Sequence, residues 1–337
     1  MSTRTMRAVR LHEHGGPEVL RYDEVPIPEP GPSEVLVRVR AVGVNPPDWY
    51  LRGGLTRVAG SDSTVSLPVI PGTDVSGVVE AVAADVAGLA VGDEVFGLLR
   101  FPSFDGRAYA EYVAAPASDL ARKPAGIDHA HAAGAPMAGL TAWQFLIELG
   151  HDHPSPLQEA PHRPIALDAD TTVLVNGAAG GVGHFAVQLA KWKGARVIAV
   201  ASGAHESFLR ELGADRFIDY TKERPDDLVR DVDLVLDTVG GRDSSRFLRT
   251  LRHGGALYPV FPGDFDDAEI AKSGVTVSVT QVRSNGAQLA ELGRLLDAGA
   301  VRVAIDSTFP LAAARAAHER AARGHIQGKI VLTVDER

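Results

Sequence analysis

The chain has 337 residues, 45% of them hydrophobic and 23% charged, with a formal net charge of −9; this is the composition of a globular protein with room for two domains. The acidic balance disfavours nucleic acid or an anionic membrane surface as main partner, because phosphate binding draws on clustered Lys and Arg. No apolar run nears the roughly 20 residues of a membrane span, MSTRTMRAVRLHEHGG lacks an apolar signal core, and cysteine is absent, so the expectation is a cytoplasmic protein without disulfides, a nucleophilic thiol or an iron–sulfur cluster.

Residues 6–10 and 35–42 read as strands, the second because LVRVRAV alternates apolar residues with arginine. VPIPEPGPSE (25–34) between them is turn or extended chain, since proline fixes φ and removes a donor. Residues 75–86 and 93–99 add further strands, and many short strands with Gly/Pro punctuation suggest a compact β-barrel-like domain. Asn45-Pro46-Pro47-Asp48-Trp49-Tyr50 is the best cluster of hydrogen-bonding side chains in that region. From His129 the pattern turns helical. Residues 151–170 then read as an irregular, proline-rich surface loop, either a rim at a substrate mouth or a tolerated insertion. Its His151, His153 and His162, like His12 and His14, read as solvated.

Residues 172–191, TVLVNGAAGGVGHFAVQLAK, carry the strongest signal. An apolar strand leads into a glycine turn, then an apolar-faced helix, then a second strand, ARVIAVA (195–201). This is the βαβ unit of a dinucleotide-binding domain. The fingerprint is A-x-G-x-x-G on Ala178, Gly180 and Gly183; with Ala179, Gly181 and Val182 it forms a turn whose backbone N–H groups can approach a pyrophosphate at a helix N-terminus. The second strand ends Ala201-Ser202-Gly203 with no acid to bind a ribose 2′-hydroxyl, which favours NADP(H) over NAD. Ser202, the Gly203 backbone, His205, Tyr220 and Lys222 are the candidate partners of a 2′-phosphate. Residues 234–241 and 255–261 read as the next parallel strands. VTVSVTQV (275–282) alternates strictly without proline, as an edge strand open to pairing with another chain. An amphipathic helix at 288–298 and a strand, helix and strand over 301–333 close the chain.

The order and spacing of GVNPPDWYLRGG (43–54), PGTDVSGVVEAV (71–82), GLTAW (139–143), the AAGGVG turn, LGADRFIDY (212–220), LDTVGG (236–241) and GKIVL (328–332) resemble the zinc-independent quinone reductase branch of the medium-chain dehydrogenase/reductase superfamily. The resemblance implies an α/β chain: a GroES-like β-rich catalytic domain (1–125), a Rossmann doubly wound parallel-sheet cofactor domain (126–287), and a return to the first domain (288–337). It places Thr141 against the cofactor, Asp237 and Thr238 near the adenosine, Val260 and Phe261 beside the nicotinamide, and Lys329 close to the cofactor. Asn45 would orient cofactor and substrate, and Tyr50 would donate a hydrogen bond or proton to a developing oxyanion. It also implies a homodimer whose sheets join across 275–282.

Zinc-dependent members hold their metal through Cys and His. Here the first ligand position falls in Val44-Asn45-Pro46-Pro47, and the usual Gly-His-Glu is Gly72-Thr73-Asp74, so no metal site is expected. Hydride transfer from NADPH to a quinone or an α,β-unsaturated carbonyl fits such a site, because the resulting anion is already delocalised. The alternatives are a dedicated enoyl or ene-reductase of a biosynthetic pathway and a non-catalytic NADPH-binding protein.

Overall fold

Strand β1 (Thr5–Leu11) turns back on β2 (Leu20–Pro26) as an antiparallel pair. The long β3 (Glu34–Val44) follows, then the short helix α1 (Pro46–Arg52), β4 (Asp74–Val82), β5 (Glu94–Leu98), β6 (Tyr112–Pro116) and β7 (Leu120–Arg122). The helical pattern from His129 forms two helices, α2 (His129–Gly134) and α3 (Pro136–Leu146), separated at Pro136, which cannot donate to the preceding turn. The computed structural model describes residues 4–57, 64–153, 158 and 160–335.

The next stretch alternates strands and helices: β8 (Thr172–Asn176), α4 (Gly181–Trp192), β9 (Arg196–Ala201), α5 (Glu206–Glu211), β10 (Arg216–Asp219), α6 (Pro225–Leu228), β11 (Val232–Asp237), β12 (Leu251–Pro259), α7 (Asp267–Ser273) and β13 (Thr276–Val277). The chain ends with α8 (Gly286–Asp297), β14 (Ile305–Pro310), α9 (Ala314–Ala322) and β15 (Lys329–Thr333).

Two units result: Met1–Leu140 with Val282–Arg337, and Thr141–Gln281. These divisions differ from 125/126 and 287/288. The first moves because α2 packs Ala133 against Ala41 and Val331 of the β-rich unit. The second moves because α8 lies on the same unit, so close that a side chain on Gly286 would meet the Leu120 carbonyl.

In the first unit the larger sheet has the order β14-β15-β3-β4-β5-β7, with β6 also paired to β3. Alternation on β3 sends Val35, Val37 and Val39 into a core with Val75, Val79 and Val95, while Arg38 and Arg40 stay half-buried. In the second unit six parallel strands run in the order β10-β9-β8-β11-β12-β13. Its core holds Leu174, Ile198, Val200, Val235 and Leu257. This is a GroES-like unit and a Rossmann-type unit, the α/β architecture expected.

Two expectations are corrected here. The edge strand over 275–282 is only β13: Ser278 N–H still bonds to the Leu257 carbonyl of β12, at 3.0 Å, but Val279 N–H donates to the Gln158 side chain at 2.7 Å. His162 is not solvated; it is 3% exposed, with one ring nitrogen 2.9 Å from Ser278 Oγ and the other 3.0 Å from the Phe145 carbonyl. Among the described residues no helix is long and apolar enough to cross a membrane.

Candidate active site

In the Rossmann-type unit the glycine turn connects β8 to α4. Gly183 is required by the turn itself, because a Cβ there would lie 2.2 Å from the Gly177 carbonyl and 2.7 Å from Ala178 Cα. Gly180 is different. A Cβ on it would meet only the Gly177 carbonyl, at 3.4 Å, so packing within the protein does not explain the missing side chain. Gly180 is also the N-cap of α4 and offers no side-chain acceptor to the first-turn N–H groups. Gly181 and Val182, the first residues of α4, are half-buried, while Ala178 and Ala179 in the turn are buried. A helix N-terminus with a side-chain-free approach suits a dinucleotide pyrophosphate.

Thr238 pins the turn: its hydroxyl donates to the Asn176 carbonyl at 2.7 Å. Asp237 is fully buried. Its carboxylate accepts from Asn176 Nδ2 (2.8 Å), Val239 N–H (3.0 Å), Gly240 N–H (3.1 Å) and Ser244 Oγ (2.8 Å). Both oxygens are therefore engaged inside the protein, and Asp237 shapes the 238–241 loop rather than offering its carboxylate outward. Val260 and Phe261 follow β12 and are half-buried, and Thr141 is buried on α3.

Past β9, Ser202 and His205 are half-buried, Gly203 is exposed and Tyr220 is 47% exposed. Sequence reasoning missed Asp219, at the end of β10. Its Oδ2 lies 2.5 Å from where a Gly203 Cβ would stand. Hydrogen bonds from the Thr221 hydroxyl (2.7 Å) and N–H (3.1 Å) hold this carboxyl below its ordinary range, and Lys222 Nζ sits 3.2 Å away. No acid follows β9 itself, but the neighbouring strand brings one there with a lysine beside it. The sequence signal was the stretch LGADRFIDY (212–220), used above only for its resemblance.

In the GroES-like unit the polar cluster is internal. Asn45 is the N-cap of α1 and forms a capping box with Asp48: its N–H donates to Asp48 Oδ2 at 2.8 Å. Asn45 is 1% exposed. Its side-chain nitrogen donates to Asp74 Oδ2 at 2.8 Å, and its side-chain oxygen accepts from the Lys329 ammonium. Lys329 is 4% exposed, donates also to the Val44 carbonyl at 3.3 Å, and stands 3.8 Å from Asp74 Oδ2. Its ammonium is thus directed into this cluster. Asp48 Oδ2 also accepts from the Tyr109 hydroxyl at 3.0 Å, and that hydroxyl lies 3.1 Å from His318 Nε2.

Burial dominates the acid–base behaviour of the cluster. It pushes Asp48 up to about 7 and Asp74 up to about 6, with Lys329, hydrogen bonds and Asn45 opposing. It pulls His318 down to about 3 and lowers Lys329. Tyr50 stands apart. It is 39% exposed on α1, its ring edge-on to Trp49, and partial burial raises its phenol above the ordinary value, so it remains protonated at neutral pH.

Comparison with known proteins agrees with this layout. Residues 31–125 match the family model described as alcohol dehydrogenase GroES-like domain, and 212–332 match the model described as zinc-binding dehydrogenase. The chain is 32% identical to the chloroplastic quinone-oxidoreductase QR1 of Triphysaria versicolor over 98% of this chain and 99% of that one. The chain belongs to the medium-chain dehydrogenase/reductase superfamily, in its quinone oxidoreductase-like branch. The chain is also 32% identical to a chloroplastic NADPH-dependent alkenal/one oxidoreductase of Arabidopsis thaliana, over 97% of this chain and 79% of that one. A mycobacterial structure complexed with NADPH superposes with a TM-score of 0.81 at 31% identity, covering 97% of this chain and 100% of that one. The chain is therefore a member of an NAD(P)H-dependent oxidoreductase family.

The zinc named in one family description does not suit this chain's residues. In the stretches where zinc-dependent members of the superfamily carry ligands, this chain has Asn45 accepting from the Lys329 ammonium and Asp74 3.8 Å from it. An ammonium donates hydrogen bonds, cannot ligate, and repels a dication. Among the described residues no group of three or more His, Asp or Glu could hold a metal ion.

Proposed function

We propose that this chain is an NADPH-dependent reductase of quinones and α,β-unsaturated carbonyls that works without a metal. The observation that carries the reading is Gly180: a cleared approach to a helix N-terminus that packing does not require. When bound, the nicotinamide supplies hydride. The backbone N–H groups of Gly181, Val182 and Gly183 would hold the pyrophosphate. Ser202, Gly203, His205, Tyr220 and Lys222 would receive the 2′-phosphate, with the Lys222 ammonium offsetting Asp219. Thr141, Val260 and Phe261 would bound the nicotinamide.

Asn45 and Lys329 would act as positioning residues, holding the start of α1, while Tyr50 on that helix keeps a protonated hydroxyl for the substrate oxygen. Electrophiles that need little activation fit this set. Hydride to a quinone gives a quinolate and hydride to an enone gives an enolate, and one hydrogen-bond donor serves either anion. The named relatives, a quinone-oxidoreductase and an alkenal/one oxidoreductase, support both substrate classes.

The test is an anaerobic cofactor-oxidation assay of NADPH and NADH against quinones, enones and simple aldehydes, with and without a chelator. Turnover of quinones or enones with NADPH, insensitive to chelator, is expected. Activity confined to aldehydes and abolished by chelator would overturn the reading.

A further inference from the structure

The proposed reaction gives no role to residues 151–170, yet the described part of this insertion is firmly built in. His162 has its Nδ1 2.9 Å from Ser278 Oγ and its Nε2 3.0 Å from the Phe145 carbonyl. Burial holds the imidazole neutral. A carbonyl only accepts, so Nε2 carries the hydrogen and Nδ1 accepts from the Ser278 hydroxyl. The ring stands edge-on to Tyr258, centroids 4.6 Å apart, and against Phe145 at 5.3 Å. The Tyr258 hydroxyl completes the anchor: it accepts from Ile165 N–H at 2.9 Å and donates to the Arg163 carbonyl at 3.3 Å.

The anchored segment meets the outermost strand of the parallel sheet. Ser278 N–H still bonds inward to the Leu257 carbonyl of β12, at 3.0 Å. Backbone donors alternate along an extended chain, so Val279 N–H faces outward, where a further strand would accept it. Gln158 Oε1 accepts it instead, at 2.7 Å, and Gln158 Nε2 lies 3.4 Å from Ser278 Oγ. The sequence VTVSVTQV has the alternation of a pairing edge, but the regular strand stops at Val277. Edge strands are commonly protected by covering them with another segment.

We propose that Gln158 and His162 make the insertion a built-in cap on this sheet edge, taking the groups that a second copy's strand would pair, so that two copies of this chain do not join their sheets through 275–282. The proposal is independent of the reductase activity.

The chain has no cysteine, so single-cysteine variants placed one at a time at positions 276–282 report edge-to-edge pairing without background. In the intact chain no disulfide-linked dimer is expected at any position under oxidising conditions. In a Gln158→Ala/His162→Gln background, and in one with residues 152–164 replaced by a short Gly-Ser linker, a linked dimer should appear at one or two neighbouring positions. Circular dichroism and NADPH binding identify the backgrounds that fold; the milder pair of substitutions covers failure of the shortened chain. A linked dimer in the intact chain would overturn the proposal, and so would its absence from a folded, uncapped chain. Self-association through another face leaves this readout unchanged.

Discussion

The Lys329 ammonium donates to the side-chain oxygen of Asn45, and that bond turns the Asn45 nitrogen toward Asp74, 2.8 Å away. The N-cap of α1 is thereby fixed from the last strand of the chain. Lys329→Met leaves a buried carboxylate without its cation, which typically costs about 3–5 kcal/mol. Urea denaturation should show the loss, smaller below about pH 6, where Asp74 takes up a proton instead. Asp74→Asn in the same chain should recover part of it.

The buried acid and the buried histidine of this cluster make stability depend on pH in opposite directions. Asp48, raised from 3.8 to about 7 by burial, binds its proton more tightly folded than unfolded. Its contribution is full below 3.8 and is lost as pH rises toward 7. His318, lowered from 6.5 to about 3, contributes fully above 6.5 and loses that contribution as pH falls toward 3. Relative to the wild type, Asp48→Asn should therefore gain stability as pH rises across this window, and His318→Gln should lose it. Melting temperatures measured against pH check both slopes; parallel profiles would contradict them.

The two glycines of the turn should fail in different ways. Gly183→Ala drives a methyl group into the Gly177 carbonyl and should lower the melting temperature without any ligand present. Gly180→Ala has room for its Cβ in the protein and should leave the melting temperature of the free protein nearly unchanged. It should weaken NADPH binding by roughly tenfold or more, equivalent to about 1.4 kcal/mol. Calorimetric titration beside a thermal melt separates the two effects.

Tyr50→Phe removes the proposed donor from a half-exposed position. A positioned proton donor is typically worth about 10²–10⁴-fold, so kcat with a quinone should drop by about a hundredfold, with KM for NADPH within a few-fold and the fold intact. An unchanged kcat would assign protonation to water.

Lys222 stands 3.2 Å from Asp219 and should decide between the two nicotinamide cofactors. Lys222→Ala removes a cation and leaves the carboxylate beside Gly203. NADPH affinity should fall by roughly tenfold, while NADH affinity stays level or improves. Parallel titrations with the two cofactors test this.

The glycine turn was legible from sequence because its constraint is local: six residues must bring one backbone against another. The paired sheets were legible for a similar reason, since alternation on residues 35–42 and the apolar runs of the second unit report which faces are buried. The buried polar cluster was not, because its partners Asn45 and Lys329 lie 284 residues apart. Asp219 escaped notice because the acid comes from β10 rather than β9. The edge over 275–282 was misread for a different reason. Alternation tells which way side chains point, and says nothing about whether the backbone's outward N–H has already found Gln158.

The position of β15 between β14 and β3 bears on how the protein is made. The GroES-like sheet lacks one of its inner strands until residues 329–333 leave the ribosome, whereas the Rossmann-type unit is one continuous stretch, 141–281. The nascent chain therefore completes its Rossmann-type unit first. Until residues 329–333 are made, β3 carries an open edge and Asp74 lacks the lysine that stands 3.8 Å from it.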